Sequence, residues 1–175
     1  YVLFCYDNPP GTVRVSGSQD AIGIAMPGLN RAYYEGRYWP TRIDRVGDEL
    51  TLQFIEQALY LVPLGPRDET YDPLNGRNPT TAGAKALAEA TDACWEAIRA
   101  HNLKAFGAAF RASFEAQIAM FPRMVNDDVH EVIERYRDQA LGWKLSGAGG
   151  GGYVIFVADQ PIRNAVRVNI RREIE

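Results

Sequence analysis

The sequence predicts an α+β fold in which a mainly antiparallel sheet carries helices on one face, and three observations carry that prediction. Two runs of strong strand formers, residues 59–64 and 153–158, stand far apart in the chain. Between them lie three consecutive stretches with apolar residues at three-and-four spacing, the period of an amphipathic helix. Strand, then helices, then two more strands around one core is the order of an α+β sandwich.

In chain order, residues 1–6 (Tyr-Val-Leu-Phe-Cys-Tyr) read as a buried strand broken by Pro9 and Pro10. Val13 and Val15 alternate with Arg14 before a turn at Ser16-Gly17-Ser18. Residues 19–26 form a short apolar helical turn that ends at Pro27-Gly28, with Asp20 near its start, where the helix dipole favours a carboxylate. Residues 29–45, rich in Tyr, Trp and Arg around Gly36, fit a hairpin, whereas 48–58 is too mixed to assign by period. Gly65 and Pro66 end the strand at 59–64, and 67–81 is a long polar loop.

Thr80 or Thr81 then caps a first helix bearing Leu87, Ala90, Cys94 and Ile98. Leu103, Phe106, Phe110, Phe114 and Phe121 mark a second helix that Pro122 stops. Asn126 caps a third, whose inner face carries Val129, Val132 or Ile133, Tyr136 and Ala140. Short apolar residues 143–145, a glycine loop and the strand at 153–158 follow. Residues 163–172 admit two readings: Arg163, Arg167 and Arg171 are four apart as on a helix, while Val166, Val168 and Ile170 alternate as on a strand. The strand is preferred.

Composition excludes several functions. The chain has 175 residues, 46% hydrophobic and 23% charged, enough for one sizeable core with an appended piece. A formal net charge of −3 offers no field to draw nucleic acid or an anionic membrane, so neither is expected as a partner. Cys5 and Cys94 form no metal or redox spacing, and with no leader or apolar span in the sequence they favour a reducing cytoplasm. The first residue is Tyr1, not Met, and the chain is expected to be a fragment of something longer.

The sharpest chemical signal is Ser146-Gly147-Ala148-Gly149-Gly150-Gly151-Gly152. It contains a GxGxxG pattern, but a dinucleotide site needs a helix directly after the loop, and here a strand follows. No Gly-Lys-Ser or Gly-Lys-Thr closes it as a Walker loop. What remains is a glycine loop between strands whose backbone can approach another backbone or an anion; a surface hairpin is the plain alternative. Lys144 beside it reads as a solvated cation on a strand edge. His101 and His130 lack ligand partners at helical spacing and read as surface residues on polar helix faces, and no metal site is expected. Asp127 and Asp128 suit a helix start. The aromatic and arginine residues Tyr33, Tyr34, Tyr38, Trp39, Arg31, Arg37 and Arg42 fit sheet packing better than base stacking. Asp72, Asn75, Arg77 and Asn78 in the long loop are reaching polar groups that could grip sugar hydroxyls, or a solvated linker.

The dozen residues from Gly142-Trp143-Lys144-Leu145 through the glycine run to Tyr153, after three helices and before a strand, resemble the third signature motif of the GHMP kinases, the family of galactokinase, homoserine kinase and mevalonate kinase. Upstream, Gly17-Ser18-Gln19-Asp20-Ala21-Ile22-Gly23 with Pro27-Gly28-Leu29-Asn30 is similar to the acidic active-site segment of the heptose-phosphate kinase and fucokinase branches. The resemblance implies a ferredoxin-like C-terminal domain over residues 48–175, with 1–47 completing the preceding domain. It implies an ATP-dependent, Mg²⁺-requiring kinase that phosphorylates a sugar or sugar phosphate. Asp20 would be the catalytic acidic group, Gln19 and Ser18 would face the substrate, and Ser146, Gly147, Ala148, Gly149, Gly150, Gly151 and Gly152 would support the nucleotide phosphate loop. For Asp20 a simple N-cap is the plain alternative. The family's own phosphate loop, of Gly-Leu-Gly-Ser-Ser type, is missing from this sequence. ATP and Mg²⁺ are therefore expected to be held mainly by the rest of the same polypeptide, and the isolated chain is expected to be inactive. A non-catalytic binding or regulatory module on the same fold is the alternative; a GHMP enzyme for an isoprenoid or amino-acid alcohol is a further one, which the Gln19-Asp20 pair disfavours.

Overall fold

The computed structural model describes residues 1–13, 15–66 and 70–173, and these fall into two compact units. One comprises Tyr1–Leu52 with the chain from Asn169 onward; the other is Gln53–Val168.

The larger unit has the expected α+β build. Its sheet runs in the order β4 (Gly142–Leu145), β5 (Tyr153–Val157), β3 (Leu59–Pro63), β6 (Val166–Arg167), with every neighbouring pair antiparallel. β5 is a central strand, and its Val154, Phe156 and Val157 are fully buried. Three helices follow β3: α4 (Thr81–Arg99), α5 (Leu103–Met120) and α6 (Asp127–Tyr136). Each starts where a side-chain oxygen satisfies an otherwise orphaned backbone donor. Thr80 Oγ1 accepts from the Gly83 N–H, Asn102 Oδ1 from Ala105 and Asn126 Oδ1 from Val129, all at 3.0 Å. α5 packs on β4, and α6 brings Val129, Ile133 and Tyr136 into a core shared with Trp143, Leu145, Val154 and Phe156. Full burial of a side chain such as Phe156 contributes about 1.5–3 kcal/mol.

α5 crosses the start of β4 backbone to backbone. A Cβ at Gly142 would lie 2.0 Å from the Gly107 carbonyl oxygen, so only glycine permits the contact. The C-terminal strand is shorter than its alternation suggested: only Val166 and Arg167 pair with β3, and Arg167 also lies 5.0 Å from the centre of the Tyr60 ring.

The smaller unit holds α1 (Val2–Asp7), α2 (Gln19–Ala25) and a hairpin of β1 (Leu29–Tyr33) with β2 (Arg42–Val46), paired from Leu29↔Val46 to Tyr33↔Arg42. The first six residues are not the buried strand their composition suggested; α1 is a helix with no buried residue. A six-residue apolar run carries no period that separates the two, and local hydrogen bonds decide. Cys5 N–H reaches the Tyr1 carbonyl at 3.0 Å, and the Asn8 side chain ends the helix by donating to Phe4 O at 2.9 Å while accepting from Ser16 N–H at 2.7 Å. Two of the hairpin aromatics pack as expected, while Tyr34 and Tyr38 are exposed: Arg31 and Arg42 lie 4.6 and 3.8 Å from the Tyr33 ring centre, and Trp39 meets Tyr1 edge-on at 5.2 Å. The returning C-terminal segment is tied to this unit by Gly28 N–H to Arg171 O at 2.9 Å and by paired contacts of Arg45 with Glu173 and Arg172 with Glu49. α3 (Glu49–Ala58), the stretch left unassigned by period, begins in this unit and ends in the larger one.

Candidate functional site

The structure sets the upstream motif on the first turn of α2. Asp20 is exposed there and has no hydrogen-bond or ion-pair partner among the described residues. Gln19 is also exposed, with its side-chain oxygen folded back over Gly17. Ser18 differs: it is fully buried, and its hydroxyl donates to the Tyr38 carbonyl at 2.7 Å and accepts from the Tyr34 hydroxyl at 2.9 Å. Although Ser18 stands at the N-cap, its side chain makes no capping bond. Its hydroxyl instead fixes the turn to the hairpin, while the side chains of Gln19 and Asp20 stay exposed.

The glycine motif joins β4 to β5 in the larger unit. Ser146 and Gly147 are exposed, Ala148 is half-buried, Gly149, Gly150 and Gly151 are buried, and Gly152 is exposed again. The loop is thus folded inward at its centre. Ser146 N–H bonds to Tyr153 O at 3.0 Å, and Gly152 O accepts from Leu64 N–H at 2.8 Å, which closes both ends onto the sheet. At the centre Gly150 donates to Met124 O at 3.0 Å and its carbonyl faces the Asn126 amide at 3.4 Å.

Lys144 is not the solvated cation that the sequence suggested. It is half-buried, its ammonium donates to Gln117 Oε1 on α5, and burial pushes its pKa down, partly offset by the nearby Cys94 thiol. Cys94 on α4 is itself pushed up by burial from 9.0 to about 11. The alternation Trp143-Lys144-Leu145 gave no sign that a helix lies over the lysine. Of the histidines, both are exposed, but His101 is not on a helix face; it follows α4 in the left-handed region with φ of 51° and stacks on Phe54 at 5.2 Å. In the long loop, Asp72 Oδ1 accepts from Leu74 N–H at 3.0 Å and Asn78 N–H bonds to Met120 O at 2.8 Å. Residues 67–69 of that loop, like Arg14, lie outside the described residues. Among the described residues no three His, Cys, Asp or Glu side chains gather as a metal site. Nor is any helix long and apolar enough to cross a membrane.

Residues 95–174, which hold α5, α6, the glycine loop and strands β4 to β6, match the family described as GHMP kinases C terminal. Over residues 95–174 the chain is thus similar to the C-terminal part of GHMP kinases. Within that class, it is 37% identical over 73 residues to the L-fucokinase/L-fucose-1-P guanylyltransferase of Bacteroides fragilis, an alignment covering 42% of this chain and 8% of that protein. Among solved structures, a mevalonate kinase shares the fold at a TM-score of 0.52 and 19% identity, over 67% of this chain and 37% of that one. The Methanococcus jannaschii mevalonate kinase aligns over the same shares at 20% identity, with a TM-score of 0.38 that is too low to bear on the fold. The chain therefore spans well under half the length of these relatives.

Proposed function

We infer that this chain is part of an ATP-dependent sugar or sugar-phosphate kinase, transferring the γ-phosphoryl group to a sugar hydroxyl. The observation that carries the reading is the inward-folded glycine loop between β4 and β5, which lies inside the segment matched to the GHMP kinase C-terminal family. The choice of a sugar acceptor leans on the likeness to a fucokinase. ATP supplies the phosphoryl group, and the rest of the polypeptide holds it together with Mg²⁺. Residues 1–47 belong to the end of the preceding domain and 48–175 to the C-terminal domain, working in the cytoplasm.

Phosphoryl transfer asks little covalent chemistry of a protein and depends on aligning the nucleophile and stabilising charge. Asp20 is the group assigned to the acceptor: its exposed carboxylate accepts the hydrogen of the attacking hydroxyl. Gln19 beside it contacts the sugar, and Ser18 belongs to the same substrate-side turn, which its buried hydroxyl holds in place. Residues 146–152 support the nucleotide phosphate loop.

The test is a phosphoryl-transfer screen of the full-length protein with magnesium and ATP against free and phosphorylated sugars, with this chain alone as control. Turnover on one sugar by the full-length protein and none by the chain is expected. Asp20→Asn in the active protein should lower kcat roughly 10²–10⁴-fold without altering the fold; near-normal turnover removes Asp20 from the mechanism. A full-length protein inactive across the panel favours a non-catalytic binding or regulatory module instead.

A further inference from the structure

The shape of the glycine loop depends on a residue remote from it in sequence. Tyr71 lies between β3 and α4, yet its ring rests on Gly150: a Cβ there would meet Tyr71 Cε1 at 2.3 Å and Cδ1 at 2.6 Å. Gly150 also has a φ of +68°, so the backbone and the ring each demand glycine at this position. The ring is held in turn by the segment that links α5 to α6. Its hydroxyl donates to the Arg123 carbonyl, and the Arg123 guanidinium lies 5.5 Å from the ring centre. The next carbonyl, that of Met124, accepts the Gly150 N–H, and the Asn126 amide faces the Gly150 carbonyl. One short stretch of backbone thus grips the tyrosine and the glycine at once. The strand-to-helix connection that carries Tyr71 is anchored at its far end by the Asn78 bond to Met120.

We propose that Tyr71 is the positioning residue of the glycine loop: with Arg123 it locks Gly150 in its left-handed conformation and so sets the shape that nucleotide binding requires. The lock stands on the contacts above, and its link to the nucleotide rests on the kinase reading. Tyr71 touches no reacting atom in this scheme; it acts through Gly150.

Two measurements test it. Amide hydrogen exchange in the 175-residue chain compares the wild type with Tyr71→Ala and Tyr71→Phe, and steady-state phosphoryl transfer in the full-length protein follows the same substitutions. Tyr71→Ala should speed exchange at Gly150 about tenfold or more while protection across β5 is kept, and Tyr71→Phe, which retains the ring, should stay within about threefold of wild type. In the full-length protein Tyr71→Ala should raise KM for ATP about tenfold with a smaller change in kcat, and Tyr71→Phe should restore it. Unchanged exchange at Gly150 in Tyr71→Ala overturns the lock whatever the enzyme does. Faster exchange in a protein that transfers no phosphate upholds the lock and removes the kinase reading. Faster exchange with KM for ATP unmoved in an active kinase overturns the link to the nucleotide.

Discussion

The two units are stabilised in different ways. In Gln53–Val168 the apolar side chains of β5, α5 and α6 close over one another, and among the described residues only Leu74, Tyr153 and Val166 are large hydrophobics left exposed. Among its described residues the smaller unit leaves nine exposed, including Tyr1, Val2, Tyr6, Val13 and Ile24, and buries little beyond Ala21, Ile22 and Leu52. In place of a core it relies on ties such as Tyr33 Oη to Asp44 at 2.8 Å and the two-pronged contact of Arg45 with Glu173. Burial of apolar area is worth far more than exposed ion pairs. Most of the free energy of folding therefore resides in the larger unit.

The comparison breaks most sharply at Phe156. Phe156→Ala should cost about 3–5 kcal/mol in denaturant unfolding of the larger unit, because the ring is fully enclosed and meets Tyr136 edge-on at 5.7 Å. A loss under 1 kcal/mol would mean that the sheet core is not the main store of stability.

A smaller effect is expected at alkaline pH. Cys94 has its pKa raised in the fold, so between pH 9 and 11 the unfolded chain ionises this thiol and the folded chain does not. Stability that is fully present below pH 9 is lost as pH rises through 11, by about 2–3 kcal/mol from this group. Lys144 acts oppositely: its lowered pKa means that the penalty for burying an ammonium is relieved as pH climbs toward 10.5. Cys94→Ala should thus flatten the fall in melting temperature above pH 9, and parallel curves for variant and wild type would contradict the burial of the thiol. The smallest change belongs to the other unit. Glu173→Gln, which weakens the clasp on Arg45, should shift stability by about 1 kcal/mol or less and vanish at high salt.

Much of the larger unit was legible because its signals are local. Thr80 and Asn126 announce helix starts, Pro122 announces a stop, and the Phe106–Phe110–Phe114 spacing fixes one face of α5. The smaller unit was harder for the same reason that it is weakly cored: residues 1–6 have no partner strand to impose extension, and Asn8 settles them as a helix. In the candidate site, the glycine run marked the loop between β4 and β5, and Asp20 stands on the first turn of the short helix its sequence suggested. Nothing in the sequence paired Gly150 with Tyr71, covered Lys144 with Gln117 or committed the Ser18 hydroxyl to Tyr34 and Tyr38, since those contacts arise only when distant segments meet.

The glycine crossing of α5 over β4 has a mechanical meaning. Between the Gly107 carbonyl and Gly142 there is no side chain to compress, so any shift of the helix passes undamped into the strand. Gly142 is therefore a datum from which the next residues are measured out, and Ser146, the first residue of the glycine loop, comes four positions later. A methyl group added at Gly142 would meet the Gly107 carbonyl oxygen at 2.0 Å and force α5 and β4 apart, and the loop that starts at Ser146 would move with the strand.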